Sequence, residues 1–194
     1  MMSDDKYYIL NVDYTYGAVD PMMLGSMPDL PEENEDDWMF GQPFTVEPEQ
    51  PIFVAIREDN ENLTALNFYK NPPVATKAFV DALVEAGVDN IVTYDVVLRS
   101  RTDPSITVDG YKAINIIGWV KAAGPGTVYL TDSRIGDASM KNVELEPRPV
   151  KGLYMFRLAQ RMRTIVVHEK VKQYLEAKGF KDLIFTEPGD ALIL

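Results

Sequence analysis

The chain has 194 residues, 46% of them hydrophobic and 25% charged, with no cysteine and a formal net charge of −11. Such a chain forms one ordinary globular domain, or one domain with a smaller appendage, and buries roughly 70% of the surface its unfolded form exposes. The missing cysteine excludes disulfides, thiolate chemistry and cysteine-ligated zinc, and the acidic balance argues against nucleic acid and anionic membrane as partners.

The first residues, MMSDDKYYIL, lack the positive start and apolar stretch of a secretory signal, and no run approaches the roughly 20 apolar residues of a membrane span. A cytoplasmic protein is expected. Residues 6–12 (KYYILNV) carry the aromatic and β-branched content of a first strand. From 13 to 50 the chain is rich in Pro, Gly, Met and acid without sustained periodicity, and a loop of that length is either functional or poorly ordered. Residues 51–56 (PIFVAI) read as a strand.

Pro72-Pro73 precedes a helix over 75–86, where Ala75, Phe79, Ala82, Leu83 and Ala86 form one apolar stripe, closed by Gly87. Residues 90–99 and 111–120 read as strands separated by a polar turn near Asp103-Pro104. A Gly-Pro-Gly turn at 124–126 leads into a strand over 127–130. Residues 163–167 (RTIVV) form a strand that runs into a helix over 169–178. That helix places Val171, Tyr174 and Leu175 on one face, pairs Lys172 with Glu176 outside, and ends at Gly179. Short strands follow at 183–185 and 191–194, around a turn at 187–190. The fold class is α+β, with a mostly antiparallel or mixed sheet, two main helices and a long irregular acidic N-terminal segment. The organisation expected is an acidic, partly irregular region over 1–70 packed on an α+β domain over 71–194.

The charge is unevenly placed. Residues 1–70 hold 15 acidic and 3 basic side chains, whereas 71–194 hold 15 acidic and 16 basic. At the centre of the acidic third, residues 29–38 read DLPEENEDDW. The run lacks the alternating acid spacing and the turn glycine of a calcium loop, so no metal is expected there. Its plain use is solubility, and its other use is attraction of a cationic partner.

Motifs for chemistry are missing. His168 is followed by Glu169, but neighbours at a helix start point apart, so His168 is expected as a polar residue at a helix entrance. The 124–126 turn cannot cradle phosphate, because its proline has no N–H. Neither G-x-S-x-G nor H-E-x-x-H occurs. Arg157, Arg161 and Arg163 fall within RLAQRMR and are expected to pair with the domain's own carboxylates or to face solvent beside a strand. No catalytic residue, cofactor or metal is expected, and the chain does not read as an enzyme.

Two stretches, GYKAINIIGWVKAA and MFRLAQRMRTIVVHEKVKQYLEAKGFKDLIF, carry a further signal. Tyr111, Asn115, the step Phe156, Arg157, Leu158, the strand at 164–167, the helix at 169–178 and the strand at 183–185 follow one pattern. Over roughly 78–186 this pattern resembles the bacterial immunity proteins of immunity protein family eleven. His168 stands where a serine-like cap is usual, and Lys121 where an acid is usual. The resemblance implies a non-enzymatic protein that binds and neutralises a cognate secreted toxin, of type VI or contact-dependent secretion, in the cytosol.

The expected partner is therefore a toxin or effector protein with a basic surface, with no nucleic acid and no membrane involved; a homo-oligomer is compatible with the sequence. Candidate partner-binding residues are Asp29, Glu32, Glu33, Glu35, Asp36 and Asp37 for charge complementarity. Trp38 is either an aromatic anchor or a side chain folded back onto the core. The alternatives are a toxin-loading chaperone or adaptor of a secretion system, and an enzyme with a carboxylate-based site in the same segment.

Overall fold

A computed structural model of the protein describes residues 5–16, 23–34, 38–57 and 65–194. In chain order the strands and helices begin with β1 (Tyr7–Val12), β2 (Ile52–Ile56), β3 (Phe68–Tyr69), β4 (Val74–Thr76) and α1 (Lys77–Ala86). They continue with β5 (Ile91–Ser100), β6 (Thr107–Ile116), β7 (Trp119–Val120), β8 (Val128–Tyr129), β9 (Met140–Lys141) and the short α2 (Pro147–Val150). The last are β10 (Met155–Leu158), β11 (Arg161–His168), α3 (Glu169–Ala177), β12 (Leu183–Thr186) and β13 (Leu192–Ile193). The fold is α+β with two main helices, α1 and α3. No described helix is long and apolar enough to cross a membrane.

The strands form two five-stranded sheets, ordered β12-β1-β11-β10-β7 and β2-β5-β6-β4-β3, and a small sheet ordered β13-β9-β8. Pairing is antiparallel except for β2 with β5 and β7 with β10, which are parallel. The first sheet is the middle layer. On β1, Tyr7 and Ile9 face one core, shared with Met140, Phe156 and Ile193, while Leu10 and Val12 face the other. On β11, Val166 joins the first core and Ile165 and Val167 the second. A sheet covered on both faces needs apolar residues at successive positions, which explains why YYIL and TIVV show no polar alternation.

One face of the second sheet is buried by Val54, Val96 and Leu98. The other face is covered by α1 where Phe68, Ala75 and Ile114 lie, and is open farther along, where Asp95 lies opposite Lys112 in register and pairs with it and Arg99 lies over the Phe53 ring at 3.6 Å. Helices α1 and α3 close the larger core. Phe79 of α1 stacks on Phe68 at 5.1 Å and meets the edge of Phe180 at 5.4 Å. Thr76, whose hydroxyl accepts from the Phe79 N–H at 3.2 Å, caps α1, so the helix begins two residues later than its apolar stripe suggests. Gly87 ends it with φ +105°, as its position predicts.

The apolar run 111–120, expected as one strand, is divided between the two large sheets. β6 stops at Ile116, Gly118 turns the chain at φ +96°, and Trp119–Val120 leave to pair with β10. Apolar residues continue across the break, from Ile116 and Ile117 to Trp119 and Val120, so the change of sheet left no mark in the pattern. The expected boundary at residue 70 runs between β3 and β4, which are hydrogen-bonded neighbours in one sheet, and β1 lies between β12 and β11. The N-terminal third is thus woven into both large sheets.

Candidate functional site

The described parts of the acidic segment, 23–34 and 38–50, are tied to the body at several points. Leu24 bridges Ile56, the Gly25 N–H donates to the Ala55 carbonyl (2.7 Å) and the Arg57 N–H donates to that of Met23 (2.8 Å). These bonds cover part of the free edge of β2, which would otherwise present unpaired backbone groups. Asn34 holds the loop to itself, its Nδ2 donating to the Val46 carbonyl (2.8 Å) while its Oδ1 accepts from the Val46 N–H (3.0 Å). Farther along, the Gly118 N–H donates to the Gly41 carbonyl (2.7 Å), and Asn115 Nδ2 donates to that of Gln42 (2.7 Å). Gly41 has φ +71°, and a Cβ there would sit 3.2 Å from the Gly118 backbone, so a larger residue would push the loop off this anchor.

Trp38 is the main anchor. It is 5% exposed, meets Phe44 edge-on at 4.9 Å and Tyr94 edge-on at 5.6 Å, and Phe44 stacks on Tyr94 at 5.6 Å. Its carbonyl accepts from Arg157 Nη2 at 3.4 Å. Burial, with the nearby Glu47 carboxylate, raises the Tyr94 pKa above its ordinary value. Of the two roles open to Trp38, the structure contains the folded-back one: the indole belongs to the core and is not displayed to a partner.

Above this ring cluster runs a groove of about 470 Å³ with Met27, Leu30, Trp38, Phe40 and Pro73 in its lining, and with Asp29 and Glu32 beside them. Asp29, Glu32, Glu33, Glu47 and Glu49 are exposed, and none is in a salt bridge among the described residues. Glu35, Asp36 and Asp37 lie outside the described residues. Among the described residues no three Asp, Glu or His side chains converge into a metal-binding group.

The other candidates have structural roles. His168 is the N-cap of α3: its Nδ1 accepts from the Lys170 N–H at 3.0 Å, and its ring meets Tyr7 and Tyr154 edge-on at 5.2 and 5.4 Å. A ring nitrogen does there what a serine oxygen usually does. In the 124–126 turn, the Gly126 N–H donates to the Glu144 carboxylate (2.7 Å) and the Gly124 N–H to the Glu144 carbonyl (2.7 Å), so both donors are occupied.

The three arginines have separate fates. Arg161 pairs with Asp137, as expected of a surface arginine, and Arg163 is exposed. Arg157 departs from the solvent-facing option: it is 1% exposed and donates to backbone carbonyls of Met162 (3.0 Å) and Trp38. Its strand lies inside the middle layer, beside the β10–β11 irregularity and the Trp38 loop, which bring these two carbonyls to it.

Two further charged groups turn inward and carry no local sequence signal. Asp182, 1% exposed, accepts from the Asn67 N–H (2.7 Å) and Asn67 Nδ2 (2.9 Å). Lys70 donates to Asn11 Oδ1 (2.8 Å), and burial together with the nearby Arg157 and Arg161 brings its pKa down to about 8.

No family model matches the chain, and no curated protein matches it.

Proposed function

We propose that the protein is a non-enzymatic inhibitor of the immunity type, which binds a cationic toxin or effector protein through the acidic rim of the groove at 27–40. One observation carries this reading. The described carboxylates of the rim are exposed and have no internal cationic partner, while the apolar side chains between them hold the segment on the core. Charges arranged this way speed association with a basic surface, and they cost no ion pair on binding. The resemblance of 78–186 to immunity proteins supplies the kind of partner, and the uneven charge supplies the surface. In this reading Trp38 is a positioning residue that fixes the rim from below.

The test is co-expression with the protein encoded by the neighbouring reading frame. Growth should be rescued when that protein is toxic inside the cell, in a strain without export machinery; a chaperone would give no rescue there. With purified partners, replacing Asp29, Glu32, Glu33, Glu35, Asp36 and Asp37 by Asn or Gln should slow association roughly tenfold or more and flatten its salt dependence. Rescue and association rate that both survive the replacement overturn the assignment of the rim.

A further inference from the structure

A second cleft, of about 510 Å³, opens where the end of β1 meets β11, the 70–71 turn and the 190–194 segment. Its composition reverses that of the acidic groove. Lys70, Arg161 and Arg163 line it, with Asn11, Tyr14, the Asp190 carboxylate and Leu194, the last residue of the chain, whose terminal carboxylate is held by Arg161. Its volume is that of a small-molecule site.

The cations are not equally engaged. Arg161 donates to the Asp137 carboxylate and carbonyl and to a terminal oxygen of Leu194 (2.7 Å). Arg163 is exposed, and neither it nor Lys70 is in a salt bridge among the described residues. The Lys70 ammonium has three N–H donors and uses one, on Asn11 Oδ1. A half-buried ammonium beside Arg157 and Arg161 is disfavoured on both counts, by lost hydration and by like charge, which is what its lowered pKa reports. An anion in the cleft would relieve both.

We infer that this cleft binds a small phosphomonoester, whose dianionic phosphate accepts from Lys70 and Arg163 while its organic body rests on the 191–194 segment and Tyr14. Two cations without carboxylate partners match two negative charges, and a tetrahedral group offers enough oxygens for an ammonium, a guanidinium and the neighbouring amides and hydroxyls. Ala191, Leu192 and Ile193 give the organic part an apolar wall. Asn71 lines both this cleft and the acidic groove, so the two sites are adjacent while differing in sign.

The experiment is calorimetric titration at low salt with two probes, inorganic phosphate and adenosine monophosphate, on the full chain. Both should bind saturably, phosphate should compete with the nucleotide, and Lys70→Met and Arg163→Gln should each weaken binding roughly tenfold or more. Bound nucleotide should also slow acylation of Lys70 by an amine reagent near pH 8, because an anion raises the fraction protonated. Arg163 is exposed, so its replacement tests the site even where Lys70→Met disturbs the fold. The inference is overturned by absence of saturable heat with both probes, by affinity unchanged in the two variants, or by citrate binding as tightly as phosphate.

Discussion

The acidic groove and the basic cleft lie side by side at Asn71, yet they handle charge in opposite ways. Around the groove the described carboxylates point out and form no salt bridge among the described residues, and the segment is held by rings and by backbone hydrogen bonds. Around the cleft and behind it, three charged side chains turn inward: Arg157 onto carbonyls, Asp182 of the turn before β12 onto Asn67, Lys70 onto Asn11. In one region charge and stability are carried by different residues; in the other they are carried by the same ones. The rim can therefore change without unfolding the domain, whereas in and behind the cleft only exposed side chains such as Arg163 have that freedom.

The largest effect should come from the residue that fixes the rim. Trp38→Ala should destabilise the protein by about 3–5 kcal/mol in urea unfolding followed by circular dichroism. A loss below about 1 kcal/mol would show that the acidic segment is only loosely attached, and would end the contrast drawn above. Asp182→Ala should cost about 1–3 kcal/mol in the same measurement, because it leaves the two half-buried Asn67 donors without their acceptor. A neutral result would mean that the inward charges are dispensable.

A smaller, pH-dependent effect should mark Lys70. Its folded pKa, about 8, lies below its ordinary value of 10.5, so between these values the unfolded chain holds a proton that the folded chain has released. That group's contribution to stability therefore rises with pH across this window, and below it the cost of the buried ammonium is present in full. Tyr7 acts the other way. Burial, aided by Asp5, raises its pKa to about 12, so above pH 10 the unfolded chain ionises first and stability falls. Between pH 8 and 10 the wild type should gain stability relative to Lys70→Met; parallel curves would remove the buried cation from the comparison. The smallest effect belongs to the rim. Asp29→Asn, Glu32→Gln and Glu33→Gln together should leave the urea midpoint unchanged, since these side chains touch no cation among the described residues. A clear shift would show that the rim is structural.

Much of the fold was legible locally. The Phe79–Leu83–Ala86 stripe and Gly87 specify α1, and Val171, Leu175 and Gly179 specify α3, because helical period and left-handed glycine act within a few residues. TIVV and YYIL specify strands buried on both faces, since apolar β-branched and aromatic runs have few other stable uses. The sequence by itself also set the charge asymmetry and the exclusion of cysteine chemistry. It did not show that 111–120 divides between two sheets, because the apolar run continues through Ile116, Ile117 and Trp119 while the break lies in Gly118. Nor did it show that Trp38 is core, since one tryptophan after a run of acids has no periodicity to place it; Phe44 and Tyr94 place it, from 6 and 56 residues away. The cleft was hidden for the same reason. Lys70 and Arg163 are ordinary surface cations when read along the chain. They line one cleft only because β1 runs between β11 and β12, and that pairing brings the two ends of the sequence against the 70–71 turn.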